Sequence, residues 1–194
     1  MKRRSLLLSL LVIALVSFSF VKKPVKASKK AVSKSMVFPV ASKRSHVGSF
    51  WGADRDGGRR SHEGIDIFAA KGTPVVALCD GKIVERARTP IGGKVLWLQS
   101  EDHPWTAYYA HLDQQLVKEG QYVRKGQVIG TVGNTGNART TPSHLHFGIY
   151  TENGPVNPYP YVKHSPKILV KMAKKKPTMK KKKAKQHKQR SRRR

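Results

Sequence analysis

The 194-residue chain is short of acidic groups, with 11 Asp plus Glu against 39 Lys plus Arg, and it has one cysteine, Cys79. A single cysteine excludes an internal disulfide framework and any zinc site built from several thiolates. Long apolar runs are also missing: the best candidate, Leu6 to Phe20, is broken by Ser9, Ser17 and Ser19. As a helix it would span roughly 22 Å, short of the roughly 30 Å of hydrocarbon in a bilayer. With Lys2, Arg3 and Arg4 before it, the run reads as an export signal over residues 1–27, cut after Ser19 or Ala27. Left uncut, the same run would act as an anchor to the cytoplasmic membrane; cut, it releases an exported chain.

The acidic deficit is concentrated at the two ends. Residues 1–46 carry 11 basic and no acidic side chains, residues 167–194 carry 15 and none, and the part between is nearly neutral. That distribution excludes a uniformly basic, histone-like chain. The C-terminal run also interleaves no aromatic residue with its Lys and Arg, so it lacks the stacking groups of a single-strand nucleic-acid binder. Nucleic acid is therefore not an expected partner.

Helical periodicity is absent from the centre as well. Residues 28–46, rich in Ser, Lys and Val, read as a linker, residues 47–162 as the folded domain, and residues 163–194 as a disordered basic tail. Within the domain, short runs such as Lys94–Leu98 and Trp105–Tyr109 alternate with Gly, Asp and Asn, the pattern of strands and turns. Asp80-Gly81 between two apolar runs is a hairpin signal. Glycines at 120, 126, 130, 133 and 136 punctuate further short strands. The expected class is mostly β: a compact antiparallel sheet or barrel-like domain flanked by flexible basic tails. Trp97 and Trp105 are expected in its core, and Cys79 as a small buried hydrophobe.

Chemistry is carried by histidines. His62 and Asp66 can converge through a bend at Gly64, and His111 ends an aromatic run. His144 and His146, two residues apart on a strand, share one face. Two imidazoles and a carboxylate suit zinc and leave a coordination position for water, and further histidines nearby can move protons. Glu63 is an alternative base, but alternation along an extended segment should turn it away from His62. Arg59 and Arg60 precede His62 and can meet an anionic group or solvent.

In order along the chain stand Gly48-Ser49-Phe50-Trp51-Gly52, His62-Glu63-Gly64-Ile65-Asp66-Ile67, Gly72-Thr73-Pro74-Val75-Val76-Ala77, Tyr109-Ala110-His111-Leu112, His144-Leu145-His146-Phe147 and Val156-Asn157-Pro158. This text resembles the catalytic domain of lysostaphin-type (LytM-like) zinc metallo-endopeptidases, which cut peptide cross-links of bacterial peptidoglycan. The resemblance implies an antiparallel β fold with its site in a groove, and one zinc ion held by His62, Asp66 and His146. It makes His111 and His144 the catalytic pair outside the metal's ligands. Pro142-Ser143 before His144 and Gly148 after Phe147 depart from the family's usual text. The other function expected of such a domain is a catalytically silent wall-binding module that activates another hydrolase. In either case the basic tail is expected to tether the chain to anionic wall polymers or lipid headgroups through screened electrostatics.

Overall fold

Along Thr106–Leu112 and His144–Thr151 buried apolar residues alternate with polar or half-buried ones, so each segment offers one face to a core and the other to solvent. The computed structural model describes residues 36–170; the expected export signal and all but the first residues of the expected basic tail lie outside them. In chain order the strands are β1 (His46–Ser49), β2 (Asp54–Arg55), β3 (Arg60–Ser61), β4 (Ile65–Phe68), β5 (Pro74–Val76), β6 (Gly81–Thr89) and β7 (Gly93–Ser100). There follow β8 (Thr106–Leu112), β9 (Gln114–Gln115), β10 (Tyr122–Val123), β11 (Val128–Thr131), β12 (His144–Thr151) and β13 (Gly154–Val156).

The main sheet runs β1-β4-β12-β8-β7-β6-β10, with β13 on β12, and every pairing in it is antiparallel. It is an open path from β1 to β10 rather than a closed barrel. A smaller sheet, β5-β11-β9, is built from the glycine-punctuated region. Ile65, Ile67, Leu96, Leu98, Tyr109 and Phe147 fill the core from one face of the large sheet, with Val75 and Ile129 from the small one. Tyr109 is fully buried, and its hydroxyl accepts the Leu78 N–H at 3.0 Å, so a polar atom in the core is satisfied.

Two local readings are corrected. Asp80-Gly81 is not a hairpin, because β5 and β6 belong to different sheets and the chain bends from one to the other there. Gly81 serves close approach instead: a Cβ on it would lie 2.1 Å from the Gln99 carbonyl oxygen on β7. Packing also starts before Val47. Val37, Phe38, Val40 and Ala41 are buried, and Val40 bridges Val75. Beyond Val162, Ile168 and Val170 pack against Val37, Ala41 and Val76. These apolar residues have no regular period, so the surrounding Ser and Lys dominated the composition.

Candidate metal centre

The register of β4, β12 and β8 brings the site together. Asp66 stands opposite His146, and His146 opposite Ala110, so both polar side chains leave the same sheet face. His62 joins them through the bend at Glu63-Gly64, where any side chain is excluded: a Cβ on Gly64 would sit 2.6 Å from His146 Cε1 and 2.7 Å from the Phe147 carbonyl oxygen. His62 Nε2 lies 2.9 Å from His146 Nδ1 and 3.1 Å from Asp66 Oδ1, and His146 Nδ1 lies 3.1 Å from the same oxygen. Among the described residues this trio is the group of His, Asp, Glu or Cys able to hold a metal ion.

The donor chemistry fits a cation. His62 Nδ1 is 2.9 Å from the Phe50 carbonyl oxygen, which needs its hydrogen, so Nε2 of the neutral ring presents a lone pair. That lone pair faces a carboxylate oxygen and a second imidazole nitrogen, and one hydrogen cannot serve three mutual contacts. Tetrahedral zinc with ligands at about 2.0–2.2 Å has ligand–ligand separations of about 3.3–3.5 Å. The observed triangle is a few tenths of an ångström tighter, so the three residues fit zinc with little movement.

Electrostatics keep the donors in their metal-binding forms. Burial alone would raise the Asp66 carboxyl, but the polar imidazoles of His146 and His62 packed against it outweigh that and hold the group well below the usual carboxylate range. Arg55 acts in the same sense, its Nη2 lying 2.6 Å from Asp66 Oδ2 and 2.9 Å from Ser49 Oγ. Asp66 is thereby divided, Oδ2 engaged by Arg55 and Oδ1 turned to the histidines. Burial, foremost, lowers His146.

His111 and His144 complete the wall. His111 Nδ1 donates to the Thr135 carbonyl at 2.9 Å and His144 Nδ1 to that of Pro142 at 2.8 Å, so Nε2 is the nitrogen each ring keeps for the groove. Their ring centroids are 4.9 Å apart, and His144 Nε2 is 3.9 Å from Asp66 Oδ1. The His111 ring is pushed down to about 4, by burial first and then by His144 and His146. Strict alternation after Ala110 would send His111 to the core. It has φ 60° instead, a left-handed conformation costing roughly 1–3 kcal/mol that breaks the alternation and returns the ring to the groove. The strain is held by His111 N–H donating to Gly92 O at 2.7 Å and by the Thr135 contact. Gly136 (φ +73°) lets the loop carrying Thr135 lie so close to the β6–β7 turn that a Cβ there would be 2.1 Å from Ile91 O.

All five expected site residues line one open groove of about 820 Å³. Glu63 does not face away as expected: the bend defeats strand alternation and places it in the groove wall. Trp97 is likewise a groove residue rather than a core one, whereas Trp105 is buried as expected. Arg60 lines the groove but is engaged by Asp56 at 2.6 Å, and Arg59 donates to the Asp56 carbonyl. Arg55 escaped the sequence reading because the β2–β3 hairpin that positions it has two-residue strands, too short to show a pattern. Cys79 is buried, its thiol pushed up to about 11 chiefly by burial, which makes it inert.

Residues 60–158 match the model of peptidase family M23. The L-Ala--D-Glu endopeptidase of Bacillus subtilis (strain 168) is 39% identical over 127 residues, which cover 59% of this chain and 39% of that protein. The murein hydrolase activator NlpD of Salmonella dublin is 38% identical over 101 residues, covering 52% of this chain and 26% of that one. This chain thus spans well under half the length of these relatives. Among solved structures, the catalytic domain of the antimicrobial peptidase lysostaphin from Staphylococcus simulans superposes with a TM-score of 0.55 at 36% identity, covering 61% of this chain and 92% of that one. A zinc-containing peptidase from Vibrio cholerae gives a TM-score of 0.57 at 32% identity, covering 64% and 39%.

Proposed function

The chain belongs to peptidase family M23, and from that premise we propose that it is an exported, zinc-dependent endopeptidase that hydrolyses peptide cross-links of bacterial peptidoglycan. The observation that carries the reading is the convergence of His62 Nε2, Asp66 Oδ1 and His146 Nδ1 within 3.1 Å of one another beside His111 and His144. In this reading His62, Asp66 and His146 hold one zinc ion, whose Lewis acidity polarises a carbonyl and acidifies water. His111 and His144 act as proton carriers. With Nδ1 of each ring committed to a backbone carbonyl, Nε2 is fixed toward the groove, where it takes a proton from the attacking water and returns one to the departing amine. The protonated imidazole then lies beside the oxyanion and steadies it. Burial keeps His111 unprotonated at neutral pH, as a base requires. Arg55 holds Asp66 in one orientation through Oδ2.

A relative named as a hydrolase activator makes the silent wall-binding module the competing reading. The complete donor set and the strained, groove-facing His111 favour the enzyme. The test is release of new amino groups from purified peptidoglycan by the full chain, with and without a chelator, and by His146→Ala. Loss of release in both supports the peptidase; wall binding without release by the zinc-loaded wild type supports the activator.

A further inference from the structure

Beyond the metal centre, the groove floor continues as a run of aromatic rings along the outer face of the main sheet. Tyr108 lies 5.9 Å from the His146 ring, Trp97 lies 4.4 Å from Tyr108, and Tyr150 lies 4.9 Å from Trp97. All three are half-buried, with surface open to solvent. The run leads into a second hollow of about 580 Å³ that shares Trp97 and Tyr150 with the main groove. Its lining includes Glu85 and Glu152 and no lysine or arginine. Glu85 is directly opposite Trp97 in the β6–β7 register, and Glu63 stands at the groove side of the same rings. Tyr150 is pushed up to about 12, first by burial and then by Glu63.

Three carboxylates around one aromatic cluster are unusual in a chain with only 11 acidic residues and a formal charge of +28. Among the described residues none of the three makes an ion pair or hydrogen bond, whereas Asp56, Asp66 and Asp113 are each paired with a cation. Open indole and phenol faces with carboxylates at their rim attract a cation by ring quadrupole and by charge together, and repel an anionic group. Resting on the peptidase reading above, we propose that this hollow is a substrate subsite for a primary ammonium group, a free amine on the peptide flanking the cleaved bond. The two ring-to-ring steps put Trp97 at most about 10 Å from His146, the reach of roughly three extended residues, so the amine lies within about three residues of the bond.

The experiment measures binding of a cross-link peptide carrying one primary amine about three residues from the cleaved bond, and of the same peptide N-acetylated, to the full chain. Chelator is present to stop turnover, and Trp fluorescence is the readout. Acetylation should weaken binding about tenfold, the difference should shrink at high salt, and it should fall to about twofold in the double variant Glu85→Gln, Glu152→Gln, which leaves Glu63 and the rings in place. Both positions are solvent-exposed, so the variant should keep the fold. Trp97→Phe, which keeps a smaller ring, should show an intermediate difference. Equal binding of the two peptides, binding of neither, or a difference undiminished in the double variant would overturn the subsite. Turnover of the amine peptide by the zinc-loaded chain is scored separately. If amine-dependent binding is seen and no hydrolysis occurs, the peptidase reading fails while the subsite stands.

Discussion

Gly64→Ala adds one methyl group and removes no donor, yet it should disable the metal centre. The new Cβ would stand 2.6 Å from His146 Cε1 and 2.8 Å from His146 Nε2, where ordinary contact begins at 3.4 Å. Phe147 O, 2.7 Å away, belongs to the β12 backbone and cannot yield easily. The His146 ring must therefore retreat by about 0.8 Å, several times the roughly 0.2 Å tolerance of a metal–ligand distance. Zinc affinity should fall 10- to 100-fold, the range seen when the support of a ligand is lost, and kcat/KM on a soluble cross-link peptide about a hundredfold. Overpacking should also cost about 1–3 kcal/mol of stability, so both quantities are measured. Zinc affinity comes from competition with a coloured chelator, and stability from urea unfolding of the metal-free chain. Gly72→Ala is the control. Its Cβ would meet nothing within 4 Å, but its φ of +86° strains an alanine, so it should lose stability and keep zinc. A Gly64→Ala chain that binds zinc within about twofold of wild type would refute the reasoning.

Further outcomes follow from other parts of the molecule. His111 titrates at about 4 in the folded chain against an ordinary value of 6.5, so the unfolded state binds the extra proton between those limits. Stability present above pH 6.5 is therefore lost progressively as pH falls toward 4, by up to about 3 kcal/mol, and His111→Gln should flatten that slope in urea titrations run at several pH values. Tyr109→Phe leaves the buried Leu78 N–H without its 3.0 Å acceptor and should cost about 1–3 kcal/mol, read as a lower urea midpoint at unchanged slope. Deleting residues 171–194, which spares Ile168 and Val170 in the fold, should weaken retention on anionic envelope preparations most strongly at low salt and leave turnover of soluble peptides intact; unchanged retention would make the run a solubilising appendage.

Much of the site could be read from spacing because strands make spacing geometric. His144 and His146 share a face by alternation, and the bend at Gly64, where there is no room for a Cβ, returns Asp66 to His62. What could not be read depends on contacts between distant segments or on breaks in alternation. His111 reaches the groove through one left-handed residue, and Glu63 through the same bend that brings in His62. Arg55 arrives on a hairpin with strands too short for any pattern. Trp97 looked like core because its strand is apolar on both faces, yet its ring packs against Tyr108 and Tyr150 in the groove wall. Val37 to Ala41 gain their place from pairing with Pro74–Leu78, about 35 positions later, which local composition does not register.

The central claim is that three convergent donors make this chain a zinc peptidase. The most direct test titrates zinc into chelator-stripped full-length protein while counting new amino groups released from purified peptidoglycan. The account predicts no release without metal, a rise that saturates at one zinc per chain, and no rise in His146→Ala. Amino-group release at full rate from the metal-free protein, or none from a chain carrying one zinc, would contradict it.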